Sequence, residues 1–192
     1  LYDTKYRYGF TGTLDGTQTH KWVLEGLFGP SYKIINTKEL QEKGYLAKLN
    51  IKVLLLKHDP TTFDTYQDEI EYIITHEKRN KFIKNLVLDL KGNTLILYSR
   101  VATHGEVLFE LINRDDRKVF FIHGGVDAEE RETVRGIAET ESNAIIIASF
   151  GTFSTGVNIK NLHNVVFSSP SKSRIRTLQS IGRVLRKSNS KL

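Results

Sequence analysis

The sequence predicts an α/β fold, an open parallel sheet with helices on both faces. Two observations carry that prediction. Four short runs in the second half, at residues 93–99, 118–122, 144–149 and 164–168, are continuously apolar rather than alternating. Strands of that kind are buried on both faces, as parallel strands are. Between the first three runs lie amphipathic stretches long enough for helices, so consecutive strands are joined by crossovers, and right-handed crossovers give a doubly wound lobe.

Taken in order, residues 8–11 read as a strand entering a glycine-containing turn at 12–16. Residues 20–27 suit a helix and 32–35 a short strand. Residues 38–43 form a helix that Gly44 terminates, since glycine accepts the left-handed cap conformation. Residues 51–57 (IKVLLLK) read as a strand, with Pro60 interrupting the pattern after it. Helical spacing follows at 63–76 and 78–91. In the second half helices are expected at 102–113 and 127–140, and a last one at 172–187. The link between the third and fourth runs, 151–159, reads as a loop. A boundary is expected between Leu14 and Gly44, which divides the chain into residues 1–30 and a main lobe, 31–192.

At 192 residues and 39% hydrophobic, the chain suffices for one compact domain plus a small appendage. No methionine opens it and no signal-peptide pattern is present, which suggests an internal segment of a longer protein. No apolar run reaches the length of a membrane span. The absence of cysteine excludes a disulfide framework, a thiolate metal site and a cysteine nucleophile, and fits a cytoplasmic location. The six histidines show no ligand spacing, so no metal site is expected. The charge is unevenly spread. Eight of the 28 basic residues follow Glu141 and no acidic residue does, leaving 20 basic against 22 acidic residues before that point. A basic tail of this kind suits phosphate, on a nucleotide or on a nucleic-acid backbone, although a solvated basic helix has the same composition.

The most specific pattern is Gln179-Ser180-Ile181-Gly182-Arg183-Val184-Leu185-Arg186 on the last helix. At 100° per residue Ile175, Leu178, Ile181 and Leu185 form an apolar stripe expected to pack on the sheet. Gln179, Arg183 and Arg186 share the neighbouring stripe. Two guanidiniums and an amide there can grip a polyphosphate through several planar donors. The second pattern, Gly151 to Ile159 (GTFSTGVNI), follows a strand at the edge where open α/β sheets bind ligands. Its hydroxyls and glycines can donate to phosphate oxygens.

These segments resemble motifs VI and V of the superfamily 2 helicases. The resemblance implies a RecA-like lobe, the C-terminal one of a pair. It makes Arg183 and Arg186 arginine-finger candidates, and Gln179, Gly156 and Asn158 candidates for the nucleotide cleft. Thr152 and Ser154 would touch the nucleic-acid backbone. Two departures stand out: Asn158 replaces the usual aspartate and Ser149 lies near the usual threonine. Leu97-Tyr98-Ser99-Arg100 resembles motif IV, which adds Ser99 and Arg100 to the backbone contacts. His123-Gly124-Gly125 resembles the turn after a strand seen in such lobes, with Gly124 a further contact and His123 read as structural. Thr11-Gly12-Thr13 resembles motif III, which couples the two lobes, so residues 1–30 are expected to be a remnant of the first lobe.

The order of these motifs spans nearly the whole chain. No glycine is followed by lysine, so a Walker A loop is absent, and no Asp-Glu box follows a strand. Asp68-Glu69-Ile70-Glu71 is a helical look-alike expected to be a solvated face. The resemblance therefore implies an ATP-dependent DNA helicase whose ATP and Mg²⁺ are held mainly by an absent N-terminal lobe in cis. The main lobe is expected to be cut short at its C-terminus and the chain alone to be inactive. Within the superfamily, residues 154–163 most resemble the phage recombination helicases, and residues 11–16 (TGTLDG) point the same way; these and the RecG-like enzymes act in DNA recombination and repair. That implies branched DNA as partner, for fork regression or branch migration. An RNA helicase, a restriction-type DNA translocase and a non-enzymatic nucleic-acid-binding module remain as alternatives.

Overall fold

The computed structural model describes residues 4–11, 17–113, 116–155, 159 and 161–185. Its elements are α1 (Gln18–Phe28), α2 (Thr37–Glu42), α3 (Tyr66–Thr75), α4 (Glu77–Asp89), β1 (Thr94–Tyr98), a π-helical turn (Val101–Gly105), α5 (Glu106–Ile112), β2 (Val119–Ile122), α6 (Ala128–Thr140), β3 (Ile145–Ser149), α7 (Phe150–Thr155), β4 (Asn164–Phe167) and α8 (Arg174–Val184). The four expected strands form one sheet in the order β2-β3-β1-β4. All three pairings are parallel, with Ile96 opposite Ile147 and Val166. The α/β class and the parallel sheet are as the sequence predicts.

Strand alternation divides the core into two layers. Leu95 and Leu97 of β1 face the same side as Ile146 and Ala148 of β3, where Ala138, Phe150, Phe153, Ile159 and Leu162 cover them. Ile96, Tyr98, Ile145 and Ile147 face the other side, under Ile83, Val87, Leu108 and Ile112. Successive strand residues point to opposite faces, so a continuous apolar run satisfies both layers at once.

The amino edge of the sheet is fastened by two polar side chains. Asn93 is buried; its amide donates to the carbonyls of Ala138, Glu141 and Asn161, and its Oδ1 accepts from the Ala144 N–H at 2.8 Å. Arg117 donates to the carbonyls of Val87, Leu90, Gly92 and Asn143. Gly92 holds φ +82°, and a Cβ there would lie 2.6 Å from the His163 ring, so glycine is required.

Several expectations change. Residues 51–57 form no strand: Ile51 is 67% and Leu55 89% exposed, and no ladder takes up their backbone groups. An extended apolar segment becomes a strand only when another strand supplies its hydrogen bonds, and none does so among the described residues. Residues 8–11 and 32–35 likewise carry no strand. Residues 150–155, read as the start of a loop, form α7. The helix expected at 63–76 begins later, at Tyr66, because Thr65 and Asp68 close a capping box there.

The stretch 102–113 opens with a π turn, in which the Gly105 N–H bonds the Arg100 carbonyl at 2.9 Å. A Cβ on Gly105 would lie 2.6 Å from the Tyr98 ring, so the turn packs directly on β1.

That turn buries His104 completely. Its Nδ1 is 2.9 Å from Ser169 Oγ, which also accepts the Ser99 N–H at 3.0 Å. Burial, reinforced by the Arg79 guanidinium, pushes the imidazole down to about 4 from the ordinary 6.5. The unfolded chain therefore binds a proton that the folded chain refuses. Stability from this group is complete above pH ~6.5 and is lost as pH falls towards 4. The loss expected is about 3 kcal/mol. Urea denaturation from pH 7 to 4, for the wild type and for His104→Gln, checks this: the substituted chain is expected to lack that component of the decline.

Candidate nucleotide and nucleic-acid site

The carboxyl ends of β1, β3 and β4 carry the side chains of interest. Ser99 and Arg100 leave β1 together. Ser99 is exposed, while its backbone N–H is held by Ser169. Arg100 is ion-paired with Glu71 of α3 and donates through Nη2 to Gln67 Oε1 at 3.1 Å. Both partners of the ion pair remain about two-fifths exposed, so it lies at the surface and water screens it. The acidic run of α3 is therefore more than a solvated face: Asp68 caps the helix and Glu71 holds Arg100.

Next to them, Lys172 places its ammonium 3.5 Å from the centroid of the Tyr66 ring, a cation–π contact. Arg79, from α4, donates through Nη2 to the Ser168 carbonyl at 2.6 Å and is half-buried. Desolvation lowers its pKa. Sequence reasoning missed Tyr66, Glu71 and Arg79, because each meets its partner across a long separation that leaves no local pattern.

After β3, the Ser149 hydroxyl caps the first turn of α7. The Thr152 N–H donates to Ser149 Oγ at 3.2 Å, and the two hydroxyl oxygens are 2.8 Å apart. Thr152 is 5% exposed, so its side chain faces Ser149 rather than a surface that could meet a phosphate. Ser154 lies on α7, one residue after the fully buried Phe153. Gly124 is exposed in the turn after β2, and the Gly125 N–H donates to His123 Nδ1, which accords with a structural His123.

On α8, Gln179 is exposed and Arg183 half-buried, with its guanidinium carbon 5.6 Å from the centroid of the Phe153 ring. The apolar stripe is rotated from expectation. Leu185, Ile175 and Ile181 turn inward, but Leu178 is 42% exposed and Ser180 is buried instead. The Ser180 hydroxyl donates to the Arg176 carbonyl at 2.8 Å, which satisfies it within the helix and makes its burial cheap. A Cβ on Gly182 would meet nothing within 4 Å, so that face of the helix is open. Thr11 is exposed. Gly12, Thr13, Gly156, Asn158 and Arg186 lie outside the described residues. Among those described, no group of acidic or histidine side chains could hold a metal ion, and no helix is long and apolar enough to cross a membrane.

A parallel sheet covered on both faces, with an arginine of the last helix against α7 at the carboxyl end of β3, is the arrangement of a RecA-like lobe. Residues 77–188 match the helicase conserved C-terminal domain, and the chain belongs to that family. Over its whole length it is 38% identical to the ATP-dependent DNA helicase UvsW of Enterobacteria phage T4, and it spans 39% of that protein. The crystal structure of T4 UvsW superposes with a TM-score of 0.56 at 43% identity, covering 65% of this chain and 26% of that one. Two other viral proteins with helicase names, from Acanthamoeba polyphaga mimivirus and a Sulfolobus islandicus filamentous virus, are 26% and 27% identical.

The burial of the two partners in the α7–α8 contact predicts unequal costs. Arg183→Ala removes a partly exposed cation–π contact and is expected to destabilise the lobe by about 1 kcal/mol or less. Phe153→Ala empties a core position and is expected to cost about 3–5 kcal/mol. Equilibrium urea unfolding of the two substituted chains measures both.

Proposed function

We propose that this chain is the second motor lobe of an ATP-dependent DNA helicase or translocase that remodels branched DNA by fork regression or branch migration. Arg183 and Arg186 act as arginine fingers on a triphosphate held by a first lobe in cis. Gln179, Gly156 and Asn158 complete the nucleotide cleft from this side. Residues 1–30, with Thr11, Gly12 and Thr13, belong to the first lobe and couple it to this one, while residues 31–192 form the second. The observation that carries this reading is the guanidinium of Arg183, one helical turn from the exposed amide of Gln179 and held against the Phe153 ring.

The donors present suit ATP and not its metal. Arg183 and Gln179 offer N–H groups to phosphate oxygens, whereas Mg²⁺ takes oxygen ligands and keeps several waters. Mg²⁺ would therefore be bound by the first lobe, where it would neutralise charge on the β- and γ-phosphates. The contribution of this chain is positioning and electrostatic stabilisation, which are what phosphoryl transfer requires. DNA is favoured over RNA because the relative named for DNA is 38% identical, whereas the mimivirus protein, named for RNA, is 26% identical.

Steady-state hydrolysis by the two-lobe protein tests the assignment. Arg183→Ala or Arg186→Ala is expected to reduce kcat by roughly 10³-fold or more. KM for ATP and nucleic-acid affinity change much less, because the charge these groups meet develops during transfer. Near-normal turnover in either variant removes that residue from the role.

The nucleic-acid track is proposed to run past Ser99, Arg100, Gly124, Thr152 and Ser154 and along the basic tail, with the backbone of α7 standing in for the inward-turned Thr152 hydroxyl. Glu71 competes with phosphate for Arg100. Glu71→Gln is therefore expected to tighten binding of forked DNA by about twofold to fivefold, in keeping with the small value of exposed ion pairs. Arg100→Ala is expected to weaken it and to lower the log–log salt slope by about 0.7–0.9. Fluorescence anisotropy against salt, on forked and duplex DNA and on RNA, gives both values and the substrate preference. A salt slope the same in Arg100→Ala as in the wild type excludes Arg100 from the track.

A further inference from the structure

β2 runs directly into His123, whose ring is held by two groups. It lies 5.3 Å, centroid to centroid, from Phe121, which is itself stacked at 5.7 Å on Tyr98 and at 5.4 Å on Phe109. The turn closes on it as well. The Gly125 N–H donates to Nδ1 at 3.1 Å, and a Cβ on Gly125 would lie 3.1 Å from Cε1. The His123 carbonyl accepts the Val126 N–H at 3.1 Å.

The bond to Nδ1 decides the tautomer. Because an N–H points at Nδ1, that nitrogen is the acceptor, and in the neutral imidazole the proton sits on Nε2. The bond through Nδ1 is the one hydrogen bond of this half-buried ring among the described residues. Nε2–H is therefore a donor held for a group from outside, beside the exposed main chain of Gly124.

The position of the donor selects that group. Ile122 is level with Ala148 of β3 and so with Leu97 of β1, which places His123 level with the ends of both strands. Two strand spacings, roughly 10 Å, separate it from β1. A nucleic-acid strand rises about 3.4 Å per nucleotide, so a few nucleotides span that distance. α8 instead packs on α7 and on β4, at the opposite edge of the sheet from β2. A nucleic-acid phosphate fits His123 better than a triphosphate gripped from α8.

We propose that His123 is a nucleic-acid-binding residue whose Nε2–H donates, as a neutral imidazole, to a backbone phosphate on the path past Ser99 and Gly124. This rests on the reading of that edge as the nucleic-acid track. The bond that makes the ring structural is also what arms its other nitrogen.

Two measurements on this chain test it. In alkaline buffer, the long-range proton–nitrogen NMR spectrum of the His123 ring, identified by its absence in His123→Asn, is expected to show a pyridine-type Nδ1 and a pyrrole-type Nε2. The Nε2–H resonance is expected to move on adding forked DNA and to stay in place on adding ATP. The second measurement is fluorescence anisotropy against salt. Asparagine can still accept the Gly125 N–H but is too short to reach the phosphate, so His123→Asn is expected to weaken binding about fivefold. A neutral donor releases no counterion, so the log–log salt slope is expected to stay at the wild-type value, unlike that of Arg100→Ala. Glutamine carries an amide N–H near the Nε2 position, so His123→Gln is expected to stay within about twofold of the wild type.

A proton found on Nδ1 overturns the proposal, whatever the variants do. So do a resonance that moves with ATP and not with DNA, an equal loss in the Asn and Gln variants, and a salt slope lowered in His123→Asn. Undiminished binding by His123→Asn beside weakened binding by Arg100→Ala overturns the role of His123 and leaves the track intact. No binding of forked DNA by the wild-type chain overturns both.

Discussion

Everything in the lobe depends on β1 being buried on both faces between β3 and β4. Four of its five residues supply side chains to two separate layers, Leu95 and Leu97 to one and Ile96 and Tyr98 to the other, so both layers are built on it. That constraint makes the pairing parallel and the connections crossovers. Crossovers in turn bring the carboxyl ends of neighbouring strands to one edge. Ser99, Arg100, Ser149 and Ser168 are neighbours for this reason alone, although they are spread over 70 positions of the chain.

The two edges of the sheet are treated differently. At the amino edge Asn93 and Arg117 spend their hydrogen-bonding capacity on main-chain carbonyls, and Lys118 pairs with Glu141. Those contacts join parts of the lobe to one another, and they fix strand ends with respect to helix ends. At the other end of the sheet and on the helices beside it, three arginines are restrained in three ways. Arg79 is held by carbonyls and is half-buried, Arg100 by a carboxylate at the surface, and Arg183 by a ring.

His104 belongs to the same region and carries a cost. The π turn presses it beneath the residues that follow β1, where Ser169 meets its Nδ1 and, among the described residues, no hydrogen-bond partner meets its Nε2. A neutral imidazole tolerates that position and a charged one does not, the more so with Arg79 nearby. The geometry of Ser99 and Ser169 is thus tied to the protonation state of a side chain that never reaches the surface.

The four strands, their parallel sense and the positions of Arg183 and Gln179 on one helix were legible in the sequence, because burial on two faces and helical periodicity leave patterns within a few residues. The stop at Gly44 was legible for the same reason: its φ of +74° is a local requirement. The strand expected at 51–57 failed because a strand is a relation between two segments, and one apolar run cannot state whether its partner is present. The rotation of α8, which buries Ser180 and exposes Leu178, was decided by how the helix meets α7 and the sheet. So were the pairing of Arg100 with Glu71 and of Arg183 with Phe153. Each joins residues at least 29 positions apart. The sequence by itself determined which residues carry donors suited to a phosphate. Only tertiary packing decided which of them are presented, which are paired and which, like Thr152, are turned inward, because that depends on distances across the fold that no local pattern encodes.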